Sequence, residues 1–125
     1  MRTRDARILL VEDDFTLRET LAEVLVDEGH EVRAAAHGDE ALGALDGWVP
    51  DLIVLDLMMP TMDAYEFRER QRELGMAPRA QTLIISAARD LEAAAARLEA
   101  DAWIAKPFLL EDVVNAVDRL LAAAT

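Results

Sequence analysis

The sequence predicts a doubly wound α/β sandwich, in which a parallel sheet is covered by helices on both faces. Three observations lead to this prediction. Short runs of consecutive apolar residues, typical of strands buried on both faces, recur along the chain. Helical patterns lie between these runs, so that strand and helix alternate. The connections are short, and parallel strands joined in this way require right-handed crossovers.

Five strands are predicted, and four of them have a clear apolar signal. The strong runs span residues 7–11, 51–55, 81–86 and 102–105. The fifth run, residues 31–35, is weaker. Because no linker rich in proline, glycine or serine interrupts the series, we expect one sheet in one domain.

Five helices are predicted between and after the strands. The first carries an apolar stripe from Leu17 to Leu25 and stops at Gly29. The last carries a second stripe from Leu110 to Leu121, and acids occupy its first turn, where the helix dipole favours negative charge. The other helices are predicted at residues 39–45, 63–74 and 91–98.

Composition indicates a small globular protein. The 125 residues suffice for one domain with a core, and 53% of them are hydrophobic while the mean hydropathy is only +0.07. We expect a single domain over residues 1–125 with its core at about 7–122. No apolar run approaches the length of a membrane span, and the first residues do not resemble a signal peptide. A cytoplasmic location without a membrane partner is therefore expected.

Charge and side-chain chemistry exclude several classes of function. The net charge of −12 would repel a phosphate backbone, so we expect no nucleic-acid binding by this domain itself. Because the chain has no cysteine, it forms no disulfide and has no thiolate nucleophile or metal ligand. His30 and His37 lack the spacing of a zinc site and are expected on surface turns.

Charged and polar residues stand where four of the predicted strands end. They are Glu12, Asp13, Asp14, Asp56, Ser86 and Lys106. The carboxyl ends of parallel strands share one edge of the sheet, where ligands bind. Facing carboxylates repel one another unless a cation joins them, so the acids predict a site for Mg²⁺ or Mn²⁺. Taken singly, these residues have ordinary explanations as a helix start, a turn, a strand end and a surface lysine.

Such a site suits phosphoryl transfer. A divalent ion and one ammonium group would offset the charge of the phosphoryl oxygens, and a carboxylate can act as the covalent nucleophile, which gives an aspartyl phosphate. Asp56, at the end of LIVLD, is the best-placed nucleophile.

Four motifs resemble those of the response-regulator receiver domain of bacterial two-component signalling, in the CheY-like superfamily. They are VEDD, DLMMPTMDAYEF, SA and KPF, which follow four strands in the family's order. Each motif is weak alone, but together they extend the resemblance over about residues 7–122. The resemblance implies a five-stranded sheet of order 2-1-3-4-5 with five helices, in a flavodoxin-like three-layer sandwich.

The resemblance also implies roles for the acids. Asp56 would be the phosphoacceptor, and Asp13 would bind the metal directly. Glu12 would bind the metal through a water molecule, and Met58 through its backbone carbonyl. Asp14 lies one residue past the matched pair. It is expected to cap the first helix, with metal binding as the second interpretation.

The remaining matched residues would surround the phosphoryl group. Ser86 would donate a hydrogen bond to it, Lys106 would pair with one of its oxygens, and Ala87 would leave room for it. Pro107 would follow Lys106 through a cis bond. Trp103, which alone would be expected in the core, stands at the position of the switch residue, which turns inward when the serine hydroxyl moves toward the phosphoryl group.

The chain departs from the family pattern at several positions. Trp103 is bulkier than the usual tyrosine or phenylalanine, so its inward rotation would cost about 1–3 kcal/mol through overpacking. Ala64 and Glu99 replace glycines, and either would add about 1–2 kcal/mol of strain if its φ were positive. The segment between Ser86 and Lys106 is shorter than in many family members, so the fourth helix or its loops should be abbreviated.

The expected function is a phosphorylation-dependent signalling switch. A sensor histidine kinase or phosphotransfer protein would supply the phosphoryl group. The fourth helix, fifth strand and fifth helix would then bind a downstream protein or form a homodimer. The domain would promote only its own phosphorylation and dephosphorylation and would not turn over an external metabolite. Two alternatives stay open: a Mg²⁺-dependent phosphohydrolase with an aspartyl nucleophile, and an interaction module that does not depend on phosphorylation.

Overall fold

The computed structural model describes residues 5–59 and 61–124 and has the predicted α/β architecture. Residues 1–4, 60 and 125 of the predicted domain lie outside this description. The strands are β1 Arg7–Val11, β2 Glu31–Ala35, β3 Leu52–Asp56, β4 Gln81–Ser86 and β5 Ala102–Ala105. The helices are α1 Phe15–Asp27, α2 Gly38–Ala44, α3 Ala64–Glu73, α4 Leu91–Leu98 and α5 Leu110–Ala123.

The strands form one parallel sheet in the order β2-β1-β3-β4-β5, as predicted. Alternate strand residues face opposite sides of the sheet, so each side has its own core. Ile8 and Leu10 of β1 pack with residues of α1 and α5. Leu9 and Val11 pack with residues of α2, α3 and α4 on the other side. The helices therefore cover both faces and leave the carboxyl edge of the strands as the place where polar loops meet.

The third strand is displaced by one residue from its prediction. Asp51 lies just before the strand, where its backbone N–H donates to the Arg7 carbonyl at 2.8 Å and its carboxylate accepts the Arg7 N–H at 2.9 Å. At the other end, Asp56 belongs to the strand and pairs with Ile85 of β4. The candidate phosphoacceptor is thus a strand residue rather than a loop residue.

Two of the predicted helix ends are set by local backbone chemistry. Asp14 caps α1, since its carboxylate accepts the Leu17 N–H at 2.9 Å. Gly29 follows the same helix with φ of +99°, a conformation that favours glycine. The first interpretation of Asp14 is therefore confirmed.

Ala64 and Glu99, which stand where the family pattern has glycine, differ in whether their backbone is strained. Ala64 begins α3 and is not among the described residues with positive φ, so it carries no such strain. Glu99 ends α4 with φ of +56°, which costs about 1–2 kcal/mol. Arg72 forms an ion pair with the Glu99 carboxylate, and Arg68 donates to the Leu98 carbonyl at 3.1 Å. These contacts hold the end of α4 despite the strain.

The prediction that both histidines lie on surface turns is wrong for His30. This side chain is only 4% exposed, and its Nδ1 accepts the Ala6 N–H at 3.0 Å. It is buried because the segment before β1 runs across it. Half-buried His37 instead caps α2, where it accepts the Glu40 N–H at 3.4 Å. Within the described residues, no helix has the length and apolar character needed to cross a membrane.

Candidate functional site

Side chains from β1, β3 and β5 meet at the carboxyl edge of the sheet. The Lys106 ammonium donates to Glu12 Oε1 at 2.8 Å and to Asp56 Oδ2 at 3.0 Å. These partners precede Lys106 by 94 and 50 residues in the sequence. The parallel sheet therefore brings together the acids and the lysine that the sequence placed at separate strand ends.

Three carboxylates form a cluster at this edge. Glu12, Asp13 and Asp56 each offer one oxygen, and these oxygens lie within 4.8 Å of one another. Lys106 supplies one positive charge against three negative ones, so the cluster keeps a negative excess. All the donors are oxygens, which suits a hard divalent cation such as Mg²⁺ or Mn²⁺. The residues present thus fit the metal that the sequence predicted, and Asp14 is turned to its helix cap instead.

The Asp56 carboxylate is held at both oxygens. Asp56 is the last residue of β3 and is only 4% exposed. Its Oδ1 accepts the Met58 N–H at 3.1 Å, while its Oδ2 accepts from Lys106. The β3 ladder and these two bonds fix where the carboxylate points, which is the condition for in-line attack on a bound group.

Glu12 is fully buried, and both of its carboxylate oxygens are already engaged. Its backbone N–H donates to the Ala35 carbonyl at 3.0 Å, which extends β1 beside β2. One oxygen accepts from Lys106, and the other accepts the Asp14 N–H at 3.1 Å. A carboxylate with these internal partners orients the lysine and the loop.

The charges at the edge shift two pKa values. Partial burial, followed by the hydrogen bond and negative charge of Glu12, raises the pKa of the Asp13 carboxyl, although its side chain is exposed. Burial alone would lower the pKa of the Lys106 ammonium, but its hydrogen bonds to Glu12 and Asp56 and their charges raise it. Lys106 therefore stays charged, but its charge only partly offsets the repulsion between Asp13 and Glu12.

Ser86 and its neighbours complete the edge beside β4. Ser86 is fully buried at the end of this strand, and its hydroxyl oxygen accepts the Ala88 N–H at 3.1 Å. The Ser86 carbonyl accepts the Lys106 N–H at 2.8 Å, which ties the end of β5 to β4. The Lys106–Pro107 bond is cis, as the resemblance implied. Ala87 is exposed and therefore adds no bulk over the carboxylates.

Trp103 and Met58 lie on the outside of the protein. Trp103, in β5, is 44% exposed, so its ring is turned outward and is not a core side chain. The Met58 side chain is 63% exposed above the Asp56 loop. A separate apolar cavity of about 380 Å³ lies beside Lys106. It is lined by Leu17, Ala87, Lys106, Pro107 and Phe108.

Arg18, which was not predicted as a site residue, contacts the loop between β1 and α1, residues 12–14, here named the acid loop. The Arg18 guanidinium donates to the Glu12 carbonyl at 2.8 Å and approaches the Asp13 carbonyl at 3.4 Å. Its position one turn into α1 suggests a solvent-facing charge, and no local pattern indicates that it reaches back to the loop.

Comparisons with known proteins agree with this geometry. The model of one protein family, described as the response regulator receiver domain, matches residues 8–118. The chain is 36% identical over 121 residues to the response regulator MprA of Mycolicibacterium vanbaalenii, a match that covers 95% of the chain and 52% of that protein. The chain thus spans about half the length of this relative.

Solved structures show the same fold. A CheY-like response regulator receiver domain protein from Methanospirillum hungatei has a TM-score of 0.86 and 27% identity, with 97% of each chain covered. The chemotaxis protein CheY4 of Vibrio cholerae has a TM-score of 0.84 and 28% identity, with 94% of this chain and 99% of that one covered. The fold and the resemblance predicted from the sequence are both confirmed.

Because the pKa of Asp13 is raised, replacing this carboxylate by a neutral side chain should increase the free energy of unfolding. The size of the increase should depend on pH. Because the folded state binds this proton more tightly than the unfolded state, ionised Asp13 destabilises the fold at neutral pH. The penalty begins to fall as pH drops through the folded-state pKa and is gone below the lower, unfolded-state pKa. In EDTA at pH 7, urea denaturation of Asp13→Asn should show a gain of less than about 1 kcal/mol, since Asp13 is exposed. The gain should vanish near about pH 3.

Asp14→Asn is the matched control, because asparagine caps a helix as well as aspartate does and Asp14 is outside the carboxylate cluster. A loss of stability in Asp13→Asn, or an equal gain in both variants, would contradict the repulsion described for the cluster.

Proposed function

The chain belongs to the response regulator receiver family, and on this premise we propose that it is a phosphorylation-dependent signalling switch with Asp56 as phosphoacceptor. The observation that carries the proposal is the Lys106 ammonium, which bridges Asp56 and buried Glu12 at the strand ends. This arrangement holds the Asp56 carboxylate beside a positively charged donor. The three carboxylates of the cluster together still carry more negative charge than Lys106 offsets, which would attract a cation. We also propose that residues 1–125 act as one domain.

In the proposed reaction, a carboxylate oxygen of Asp56 attacks the phosphorus of a phosphohistidine. The new O–P bond forms as the N–P bond breaks, and the imidazole nitrogen keeps the electron pair of the broken bond. Lys106, already hydrogen-bonded to Asp56, pairs with a phosphoryl oxygen. The Ser86 hydroxyl donates a hydrogen bond to another phosphoryl oxygen; among the described residues, its oxygen accepts the Ala88 N–H, which leaves the hydroxyl hydrogen for this role. Small, exposed Ala87 leaves space for the transferred group.

The acids have separate proposed roles toward a divalent ion. Asp13, Asp56 and the backbone carbonyl of Met58 would hold Mg²⁺, or Mn²⁺, directly. Glu12 would contribute through a water molecule, as the resemblance implies, while one of its oxygens accepts from Lys106. When bound, the ion offsets negative charge on the phosphoryl group. The negative excess of the cluster supports this assignment.

The phosphoryl group would be delivered by a sensor histidine kinase or a phosphotransfer protein. Exposed apolar side chains follow three of the site's strand ends closely in sequence. They are Phe15, Met58 and Leu109, at 66%, 63% and 62% exposure. Such side chains suit contact with a protein donor. The domain would act only on its own phosphorylation state, and its expected location is the cytoplasm.

Phosphorylation of Asp56 can be tested directly with acetyl phosphate and Mg²⁺, followed by intact mass spectrometry. We expect an adduct of one phosphoryl group that is lost in Asp56→Asn and without Mg²⁺. Asp63→Asn is the matched control, because Asp63 is a nearby acid that caps α3 and asparagine preserves a cap. This control should be phosphorylated like the wild type.

Other outcomes would favour the alternative functions. Steady phosphate release from diverse phosphomonoesters would indicate a phosphohydrolase. Such an enzyme normally uses a second acid close behind its nucleophile, where this chain has Met58. Absence of any adduct would contradict the switch and favour an interaction module independent of phosphorylation.

The output of the switch is proposed to pass through Trp103. Added charge at Asp56 would draw the Ser86 hydroxyl toward the phosphoryl group and open room for the ring to turn inward. The rotation buries an indole at an overpacking cost of about 1–3 kcal/mol. The surface of α4, β5 and α5 would change and alter binding of a downstream protein or of a second copy. No direct nucleic-acid binding by this domain is proposed.

Tryptophan fluorescence tests the rotation. Trp103 is 44% exposed and Trp48 only 4%, so acrylamide should quench mainly Trp103. We expect quenching to fall on phosphorylation of the wild type and not in Asp56→Asn. Trp103→Phe gives the Trp48 background. Unchanged quenching in protein that carries the adduct would show that Trp103 does not switch.

A further inference from the structure

The segment that carries Glu12 and Asp13 is fixed by one arginine of α1. Arg18, half-buried in the second turn of the helix, donates to the Glu12 carbonyl at 2.8 Å and to the Asp13 carbonyl at 3.4 Å. Its guanidinium also lies 5.4 Å from the centre of the Phe15 ring. One side chain therefore holds two consecutive backbone carbonyls between β1 and α1.

These bonds restrain the backbone that carries the two acids. The Glu12 N–H is fixed by the Ala35 carbonyl of β2, and the Glu12 carbonyl is fixed on its other side by Arg18. Because a peptide unit is planar, holding these groups leaves little freedom for the backbone between them. The restrained backbone then fixes the direction in which the Cα–Cβ bond of each acid leaves the chain.

The Arg18 guanidinium contacts backbone carbonyls and leaves the cluster's carboxylates uncovered. Among the described residues, neither of its hydrogen bonds goes to a carboxylate. An arginine paired with Asp13 would occupy the oxygens that a cation needs. Bonds to the carbonyls instead orient the acids and keep their charge available.

We propose that Arg18 is a positioning residue for the divalent-ion site and that its carbonyl contacts raise the site's affinity for Mg²⁺. The inference rests on the proposed function. Groups that orient metal ligands typically change metal affinity by about 10–100-fold when removed. The positive charge of Arg18 acts in the opposite direction, because it repels the ion. Removing the side chain should therefore weaken Mg²⁺ binding if orientation dominates and strengthen it if charge repulsion dominates.

Three substitutions separate the two effects. Arg18→Met removes both the donors and the charge, Arg18→Gln keeps a donor without the charge, and Arg18→Lys keeps the charge with a compact donor. Mg²⁺ affinity is measured by calorimetric titration, and urea denaturation in EDTA confirms that each variant is folded. We expect Arg18→Met to bind Mg²⁺ about tenfold more weakly. Arg18→Gln and Arg18→Lys should each recover part of this loss.

Arg33→Met is the matched control. Arg33 also donates to a backbone carbonyl, that of Ala44 at 3.3 Å, and lies 4.5 Å from the centre of an aromatic ring, that of Trp48. It contacts the end of α2 rather than the acid loop, so its removal should leave Mg²⁺ affinity unchanged.

Phosphorylation by acetyl phosphate gives a second measurement. In Arg18→Met the Mg²⁺ concentration for half-maximal rate should rise about tenfold, in line with the affinity, while the rate at saturating Mg²⁺ recovers. Unchanged or tighter Mg²⁺ binding by folded Arg18→Met would overturn the inference while phosphorylation of the wild type still supported the switch. A wild type that neither bound Mg²⁺ nor formed the adduct would overturn both.

Discussion

The ion pair from Lys106 to Glu12 and Asp56 is the interaction on which the site depends. Three carboxylates within 4.8 Å would repel one another, and the single ammonium offsets that repulsion in part while fixing the position of Asp56. The partial compensation has a functional consequence. A fully neutralised cluster would not attract a divalent ion, whereas the remaining negative charge would favour the ion binding proposed above.

The parallel sheet makes this arrangement possible and divides the site into fixed and mobile parts. Asp56 ends the inner strand β3, is almost fully buried and is hydrogen-bonded at both carboxylate oxygens, so the group that would accept the phosphoryl unit is held in place. Met58 and Trp103 are exposed and can move at lower cost. Chemistry at a rigid edge and movement at an exposed surface are what a switch requires, because the added charge must be held while a neighbouring surface responds.

The sequence predicted the parts of the fold that follow local patterns. The inner strands β1, β3 and β4 are largely apolar and buried, so their ends, and with them Glu12, Asp56 and Ser86, could be located to within a residue. Contacts between distant segments could not be predicted in this way. The burial of His30 depends on how the segment before β1 lies against the start of β2, and the contact of Arg18 with the acid loop depends on how α1 packs after that loop. The positive φ of Glu99 was predicted only conditionally, from the resemblance, because the backbone angle is set by packing at the end of α4.

The central claim is that Asp56, Lys106 and the acid cluster act on one phosphoryl group at one place. A crystal structure with Mg²⁺ and beryllofluoride, a stable mimic of the phosphoryl group, tests this most directly. The account predicts beryllium bonded to an Asp56 oxygen, the Lys106 ammonium hydrogen-bonded to a fluorine, and the ion in contact with Asp13. Beryllofluoride bound elsewhere, or a Lys106 side chain that stays on Glu12 and makes no contact with it, would contradict the account.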